Sequence, residues 1–591
     1  MNRSKCACPE RQRRIVRGAS WSLLVALFLA GCGPSGPAAT PVPGPTSGVA
    51  ATWPYAGKAR VAEGAQAMVV SGSPIASDVG RQILQAGGNA VDAATAVGFA
   101  LAVVHPEAGN IGGGGFSMIR LADGSVSALD YREAAPTRGS RDMYLDLRGN
   151  PSDLSVTGAL AAGVPGAVAG LVEQQRRFGR LPFAQVIAPA IRLAQEGFVV
   201  DEYRQNSIEG ERDRLYLFPT SRKQFLADGH APRTGTRFTQ PDLARTLMAI
   251  RDGGRAGFYT GWVADSIVAE MDRSGGFITR PDLAAYQAKW RDPIRIDYRG
   301  HVIYSMPPAS SGGITMAEIF NVMEGFGPLP LFGSPELLHR EAEVMRRAFT
   351  DRNYWLGDAD FEDIPRDRLT SKAYADTVRR SIDLRHATRS DSVRPGMEGM
   401  HTTHYSVVDA DGNAVSTTTT LNNSYGSAVT VGGGGFLLND EMDDFATAPG
   451  KPNMYGLVQG EMNAIKPGKR MLSAMTPSLV LDPQGKLLLV VGTPGGPTII
   501  TQVYHVISNV IDHHLSLPDA VAAPRMHHQG LPDEIRLERD GFQPATVAQL
   551  QRMGHTVVFR GRWGDVEGII RTATGWEGVS DPRLGGGGAG Y

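Results

Sequence analysis

Thr402 opens a β-branched run, His404-Tyr405-Ser406-Val407-Val408-Asp409, and Thr420 closes a second one, Asn413 to Leu421. Ala410-Asp411-Gly412 between them is a hairpin turn signal. If those three residues form the loop, 409 pairs with 413 and Thr402 faces Thr420 on the same side of the sheet. A two-residue loop would place Leu421 opposite instead. A threonine hydroxyl is a poor nucleophile without a base close by. Were Thr402 the first residue of a chain, its own amine would be that base, and Thr420 would hold the hydroxyl or the amine in position. Acyl chemistry also needs donors for an oxyanion. Gly495-Gly496 stands directly before a helical pattern running from Ile499 to Ile511, so its backbone N–H groups could serve. On the residues alone a tight turn fits that pair equally well.

Other chemistry finds less support. Ile111-Gly-Gly-Gly-Gly-Phe116 lacks the Lys and Ser/Thr of a phosphate loop, and Gly432–Gly435 reads as structural. There is no Gly-x-Ser-x-Gly elbow for a Ser-His-Asp hydrolase. His513-His514 and His527-His528 have no Cys or acidic partner at ligand spacing, so no metal and no cofactor is expected. Lys and Arg total 59 against 60 Asp and Glu, which leaves no basic excess for nucleic acid.

The elements that must position these groups alternate. Residues 76–86 have helical spacing closed by Gly87-Gly88, and Asn89 can cap an alanine-rich helix that ends before Pro106. Residues 158–175, 183–197, 241–251 and 335–350 also read as helices. Ser478–Asp482 and Lys486–Gly492 flank Pro-Gln-Gly as a second hairpin, and Pro497 suits the first turn of the helix that follows. Strand runs flanked by helices favour a layered body of α and β elements.

The first segment reads as an address. Residues 1–17 carry six basic residues and one acid, an eleven-residue apolar run follows, and Leu29-Ala30-Gly31-Cys32 closes it. The run is too short to span a bilayer and fits a secretory signal. Leu-Ala-Gly-Cys resembles a bacterial lipobox, which implies cleavage before Cys32 and lipid on its thiol. Residues 32–59, rich in Pro, Gly, Ala and Thr, read as a tether. The resemblance implies an anchor at the periplasmic face of the outer membrane. Losing residues 1–31 would take the net charge from −1 to −6 and leave Cys32 as the sole cysteine.

TTHYSVVDADGNAV, TLNNSYG, GFLLNDEMDDFA, PNMYGLV, KRMLSAMTPSLVL and GTPGGPTIIT resemble the γ-glutamyltransferase (γ-glutamyl transpeptidase) family. VVHPEAGNIGGGGFSMIR, LDYREAAP and PPASSGGIT upstream, and APRMHHQGLPDEIRLE downstream, extend the likeness in order over residues 60–591. The resemblance implies an α+β, N-terminal-nucleophile hydrolase fold: a four-layer αββα sandwich built jointly by two autocleaved subunits. The scissile bond would be His401–Thr402, giving a large subunit ending at 401 and a small, catalytic subunit 402–591 that remain together as a heterodimer.

It further implies that Arg132 and Ser473 take a donor's α-carboxylate, that Asn422, Glu441 and Asp444 take its α-ammonium, and that Gly495 and Gly496 take the oxyanion. Tyr455 would belong to a lid. The implied activity is transfer of a γ-glutamyl group, from glutathione or other γ-glutamyl amides, to water or to amino-acid and peptide acceptors. Ala474 stands where the family often has a second serine, and Glu441 where many relatives have Gln. The alternatives are a glutaryl or cephalosporin-type acylase, a poly-γ-glutamate hydrolase, or a non-catalytic binding lipoprotein.

Overall fold

The computed structural model describes residues 48–390, 402–451, 453 and 456–591. Cys32, His401 and Tyr455 lie outside the described residues. The Thr402 hairpin sits at the middle of an antiparallel sheet ordered Gly587–Gly590, Met68–Ser71, Thr402–Val408, Ala414–Thr420, Gly114–Arg120, Val126–Tyr131, Lys289–Arg291. A second antiparallel sheet runs Arg60–Gly64, Trp576–Ser580, Glu567–Arg571, Leu487–Gly492, Ser478–Leu481, His301–Ser305, Ile294–Tyr298. Each sheet takes strands from both sides of residue 402.

The turn of the hairpin is the expected three-residue loop, and Asp409 builds it. Its Oδ1 accepts from the N–H of Asp411 at 3.0 Å and of Asn413 at 2.9 Å, while Gly412 takes φ +85°. Thr402 therefore faces Thr420, His404 faces Thr418 and Ser406 faces Ser416. This row looks into the gap between the sheets. Ser406 Oγ donates to Glu567 O at 3.1 Å and Ser416 Oγ to Val491 O at 3.2 Å. The alternate residues, Tyr405 and Val407, enter the core shared with the helix Ala90–Val104.

That helix is buried along its whole length. It starts on the expected Asn89 cap, whose side chain accepts from the N–H groups of Val91 and Asp92 at 3.0 Å. Asp409 Oδ2 accepts from Ala90 N at 2.8 Å, so one aspartate ties the hairpin turn to the helix start. Helices Pro74–Gln85, Ala167–Phe178, Phe183–Glu196 and Pro241–Gly253 complete this outer layer. Gly312–Glu324, Pro335–Trp355 and Thr498–Ile511 cover the second sheet, giving the αββα order.

The helix expected over 335–350 runs on to Trp355, and three other boundaries differ from expectation. No single helix spans 158–175: a short 3-10 turn, Ala159–Ala161, precedes a helix at Ala167–Phe178. Val164 pairs with Ala134 instead, and Pro165 disfavours helix at the residue before it. Pro497 is the N-cap of Thr498–Ile511 rather than part of its first turn. The body also begins before residue 60. Gly48 N donates to Phe332 O at 3.2 Å, and Trp53 is buried with its Nε1 donating to Ala522 O at 2.7 Å. An indole that buries its ring and satisfies its N–H holds this proline-poor end of the segment against the body.

Gly492 marks how closely the sheets approach. A Cβ there would stand 2.3 Å from Cε1 and Nδ1 of His404. Gly492→Ala is expected to cost about 1–3 kcal/mol of stability through overpacking. A urea midpoint equal to the parent's would show that the inter-sheet gap has slack.

Candidate active site

Thr402 is the half-buried first residue of a strand whose remaining residues are all buried. Its Oγ1 lies 3.4 Å from Thr420 Oγ1, a long hydrogen bond at the mouth of the polar row. Thr420 is itself fixed: its Oγ1 accepts from Asn422 N at 2.8 Å and its carbonyl from Asn110 Nδ2 at 2.8 Å. Asn422 adopts φ +78°, which turns the chain out of the strand right after Thr420 and Leu421.

Beneath Thr402 the row is ordered by one histidine. Ser406 Oγ spends its proton on Glu567 O, so it accepts from His404 Nε2–H at 3.1 Å. His404 Nδ1 then accepts from Thr418 Oγ1 at 2.8 Å. Burial lowers the His404 pKa to about 3, so the ring is neutral and the tautomer assigned by this network is the one present near neutral pH.

One cavity brings together Thr402, Thr420, Arg132, Asn422, Glu441, Asp444, Ser473, Ala474 and Gly496. Arg132 follows the strand Val126–Tyr131. Its N–H donates to Asp130 Oδ1 at 3.0 Å, and its carbonyl accepts from Tyr286 OH at 2.7 Å. Its guanidinium lies 2.6 Å from Glu441 Oε2, pairs with Asp444 Oδ2, and stands 3.5 Å from Glu133 Oε2. The Glu441 contact is close but too bent to count as a hydrogen bond. Burial works against the Arg132 charge, yet Glu441, Asp444 and Glu133 more than offset it and raise the pKa. The same burial pushes Glu441 well up and Glu133 up to about 7, with Arg132 opposing both shifts. The cation expected for a carboxylate and two acids expected for an ammonium are thus closed on one another.

Ser473 sits in the wall of the cavity. Its N–H donates to Ala309 O at 2.9 Å, and its Oγ accepts from Met475 N at 3.1 Å. Ala474 beside it presents only a methyl group, as the sequence dictates. Gly496 lines the cavity with φ +53°, and Gly495, which precedes it outside that lining, has φ +138°, both in the region that favours glycine. Among the described residues neither of their N–H groups donates to a protein acceptor. Both precede the helix Thr498–Ile511, whose dipole adds to their pull on an anion.

Sequence reasoning missed Arg352, which lines the same cavity from the helix Pro335–Trp355. It lies two residues beyond the helix expected over 335–350, yet it follows Met345, Ala348 and Phe349 at i, i+3, i+4, i+7 spacing, the signal that puts it on the buried face. A trio, His339, Glu343 and His555, also went unnoticed; its possible ligand atoms lie within 4.8 Å of one another. It is internally satisfied: His339 Nδ1 and His555 Nε2 share a 2.7 Å hydrogen bond, and Glu343 accepts from Thr388 N, Thr388 Oγ1 and Arg347. The donors a cation would need are therefore already engaged.

A family model described as Gamma-glutamyltranspeptidase matches residues 76–591. A "Glutathione hydrolase proenzyme" from Escherichia coli (strain K12) is 44% identical over 567 residues, covering 95% of this chain and 97% of that protein. Among solved structures, a cephalosporin acylase from Bacillus halodurans superposes with TM-score 0.79 at 27% identity, over 90% of this chain and 97% of that one. A Helicobacter pylori gamma-glutamyltranspeptidase gives TM-score 0.53 at 45% identity, over 55% of this chain and 93% of that one.

The neutral His404 makes a pH prediction. Unfolded, this ring takes up a proton as pH falls below 6.5; folded, it does not until about pH 3. The folded state therefore loses stability as pH falls through that window, by up to ~1.4 kcal/mol per pH unit. His404→Gln lacks this loss, so the stability gap between wild type and variant should narrow from pH 7 to pH 4. Parallel urea-unfolding curves across that range would place a protonated ring in the fold.

Proposed function

The chain belongs to the gamma-glutamyltranspeptidase family, and from that premise we propose how its own residues carry the reaction. It is a γ-glutamyltransferase and glutathione hydrolase made as a proenzyme. The single observation that carries the residue assignment is that Thr402, at the head of its strand and paired with Thr420, shares one cavity with Arg132, Glu441, Asp444 and Gly496.

In maturation the Thr402 hydroxyl attacks the His401 carbonyl. The peptide nitrogen leaves as the new Thr402 amine, and water opens the resulting ester. In turnover that amine takes the proton of its own Oγ as Oγ attacks the γ-carbonyl of the donor. The N–H groups of Gly495 and Gly496 receive the oxyanion. Collapse expels the leaving amine with its proton and leaves a γ-glutamyl–Thr402 ester. Water or an amine acceptor then attacks that ester and restores the hydroxyl.

The donor's two charges repeat those already in the cavity. Its α-carboxylate replaces acid at Arg132, a guanidinium fork suited to it. Its α-ammonium replaces Arg132 at Asp444 and Glu441, beside Asn422. The likeness to a cephalosporin acylase keeps an acylase reading in play. Asp444 favours the γ-glutamyl donor, because a glutaryl group has no ammonium to pair with it. Lipid on Cys32 and an outer-membrane location rest on the lipobox resemblance, and the mass of the mature N-terminus tests them.

Thr402→Ala should remain one uncut chain on a denaturing gel and show no turnover; scission at 401/402 in that variant would remove Thr402 as nucleophile. Arg132→Ala should raise the donor KM by ~10–100-fold, as expected for losing a charge-assisted pair. Asp444→Asn should reduce the preference for γ-glutamyl over glutaryl anilide by about tenfold or more. An unchanged ratio would move ammonium recognition elsewhere.

A further inference from the structure

Arginines with almost no solvent exposure are usually paired in this fold. Arg204, Arg346, Arg470, Arg525, Arg536 and Arg583 each have a carboxylate within ion-pair distance, as does Arg132. Arg352 is the exception. It is 1% exposed, and among the described residues no carboxylate lies within ion-pair distance of it. Its Nε donates to Ser311 Oγ at 3.0 Å and its Nη1 to Asn353 Oδ1 at 2.9 Å, both neutral acceptors. A buried cation without a counter-ion is costly, and an anion brought beside it would relieve that cost. Burial lowers its pKa to about 10, and the more distant Asp444 opposes that shift, so the group stays charged near neutral pH.

Arg352 borders the candidate acyl cavity, where it lines the wall with Arg132, Ser473 and Ala474. A hydrogen-bonded relay holds it there: Ser311 accepts from Arg352 and donates its own proton to Ser473 O at 2.6 Å. The guanidinium is thereby tied to the segment where Ala474 supplies no hydroxyl. Arg132 is meanwhile occupied by Glu441 and Asp444, so an entering carboxylate must displace acid to reach it. Arg352 requires no such displacement.

We propose that Arg352 is a second carboxylate-binding residue of the donor site, receiving the α-carboxylate together with Arg132 and standing in for the hydroxyl that Ala474 lacks. This rests on the functional reading above. It makes an α-carboxylate, rather than a γ-acyl chain alone, the feature the cavity selects.

The test compares γ-glutamyl anilide with 4-aminobutyryl anilide, which keeps the amine and the acyl chain and lacks only the α-carboxylate. Arg352→Gln should raise the KM for γ-glutamyl anilide tenfold or more with little change in kcat. Its kcat/KM for the decarboxylated anilide should hold, so discrimination between the two falls at least tenfold. Arg352→Lys, which keeps the charge, should retain part of that discrimination. Equal losses on both substrates, or no loss on either, would overturn the proposal and leave Arg352 a structural residue. Two-chain maturation on a denaturing gel checks that each variant folds. Should neither fold, a crystal structure of the wild-type enzyme with glutamate decides: a carboxylate within 4 Å of both guanidinium groups is expected, and one on Arg132 alone refutes it. Wild-type protein inert toward γ-glutamyl anilide would instead sink the functional reading itself.

Discussion

Side chains alternate between the faces of a strand, so a slip of one residue between Thr402–Val408 and Ala414–Thr420 would turn Thr402 away from its cavity. The Asp409 turn prevents that slip by fixing two backbone N–H groups at the far end of the hairpin and the first helical N–H of Ala90 as well. The inter-sheet gap reinforces it. His404 fits only against a residue without a side chain, Gly492, and Ser406 and Ser416 bond to carbonyls of the opposite sheet. Hydroxyls and an imidazole are unusual material for the space between two sheets, where apolar side chains normally interdigitate. Here they fill it with directional bonds, and Thr402 is the last member of that row, where it meets the cavity.

The charges around Arg132 follow a different logic. Buried ion pairs are weak sources of stability, because desolvation consumes most of the Coulombic gain. Under the proposed function, grouping Arg132, Glu441, Asp444 and Glu133 makes better sense as preparation for a ligand that carries both signs. A zwitterion can enter such a pocket by exchange, each of its charges taking over a contact that exists already. The net charge of the site then changes little on binding, which keeps desolvation from accumulating.

Much of this geometry was legible because it is local. Asp409 to Asn413 narrowed the hairpin to two registers, Asn89 marked the helix start, and the helical spacing that begins a few residues later put Gly495-Gly496 just before a helix. What stayed hidden depends on distance along the chain. Arg132 and Asp444 are 312 residues apart, and only the meeting of the strand end after Tyr131 with the 3-10 turn Glu441–Asp444 shows that they pair. Arg352 carries its meaning in what it lacks, and a missing partner leaves no mark on a sequence. Residues 158–175 read as one helix because alanine-rich spacing imitates it, while Val164 and Pro165 answer to a neighbouring segment. Trp53 is buried inside a stretch whose composition otherwise argues against burial.

Both sheets draw strands from either side of residue 402, and the terminal strand Gly587–Gly590 zips onto Met68–Ser71. While the chain is whole, assembling these sheets is an intramolecular event. If the chain is cut before Thr402, as proposed above, the same contacts join two molecules, and loss of the native state also releases translational freedom. Recovery then becomes concentration-dependent, and dilution penalises it. Under that proposal the cut would give the protein a direction in time: it would fold as one chain, and as two its persistence would be set by how slowly the woven sheets come apart.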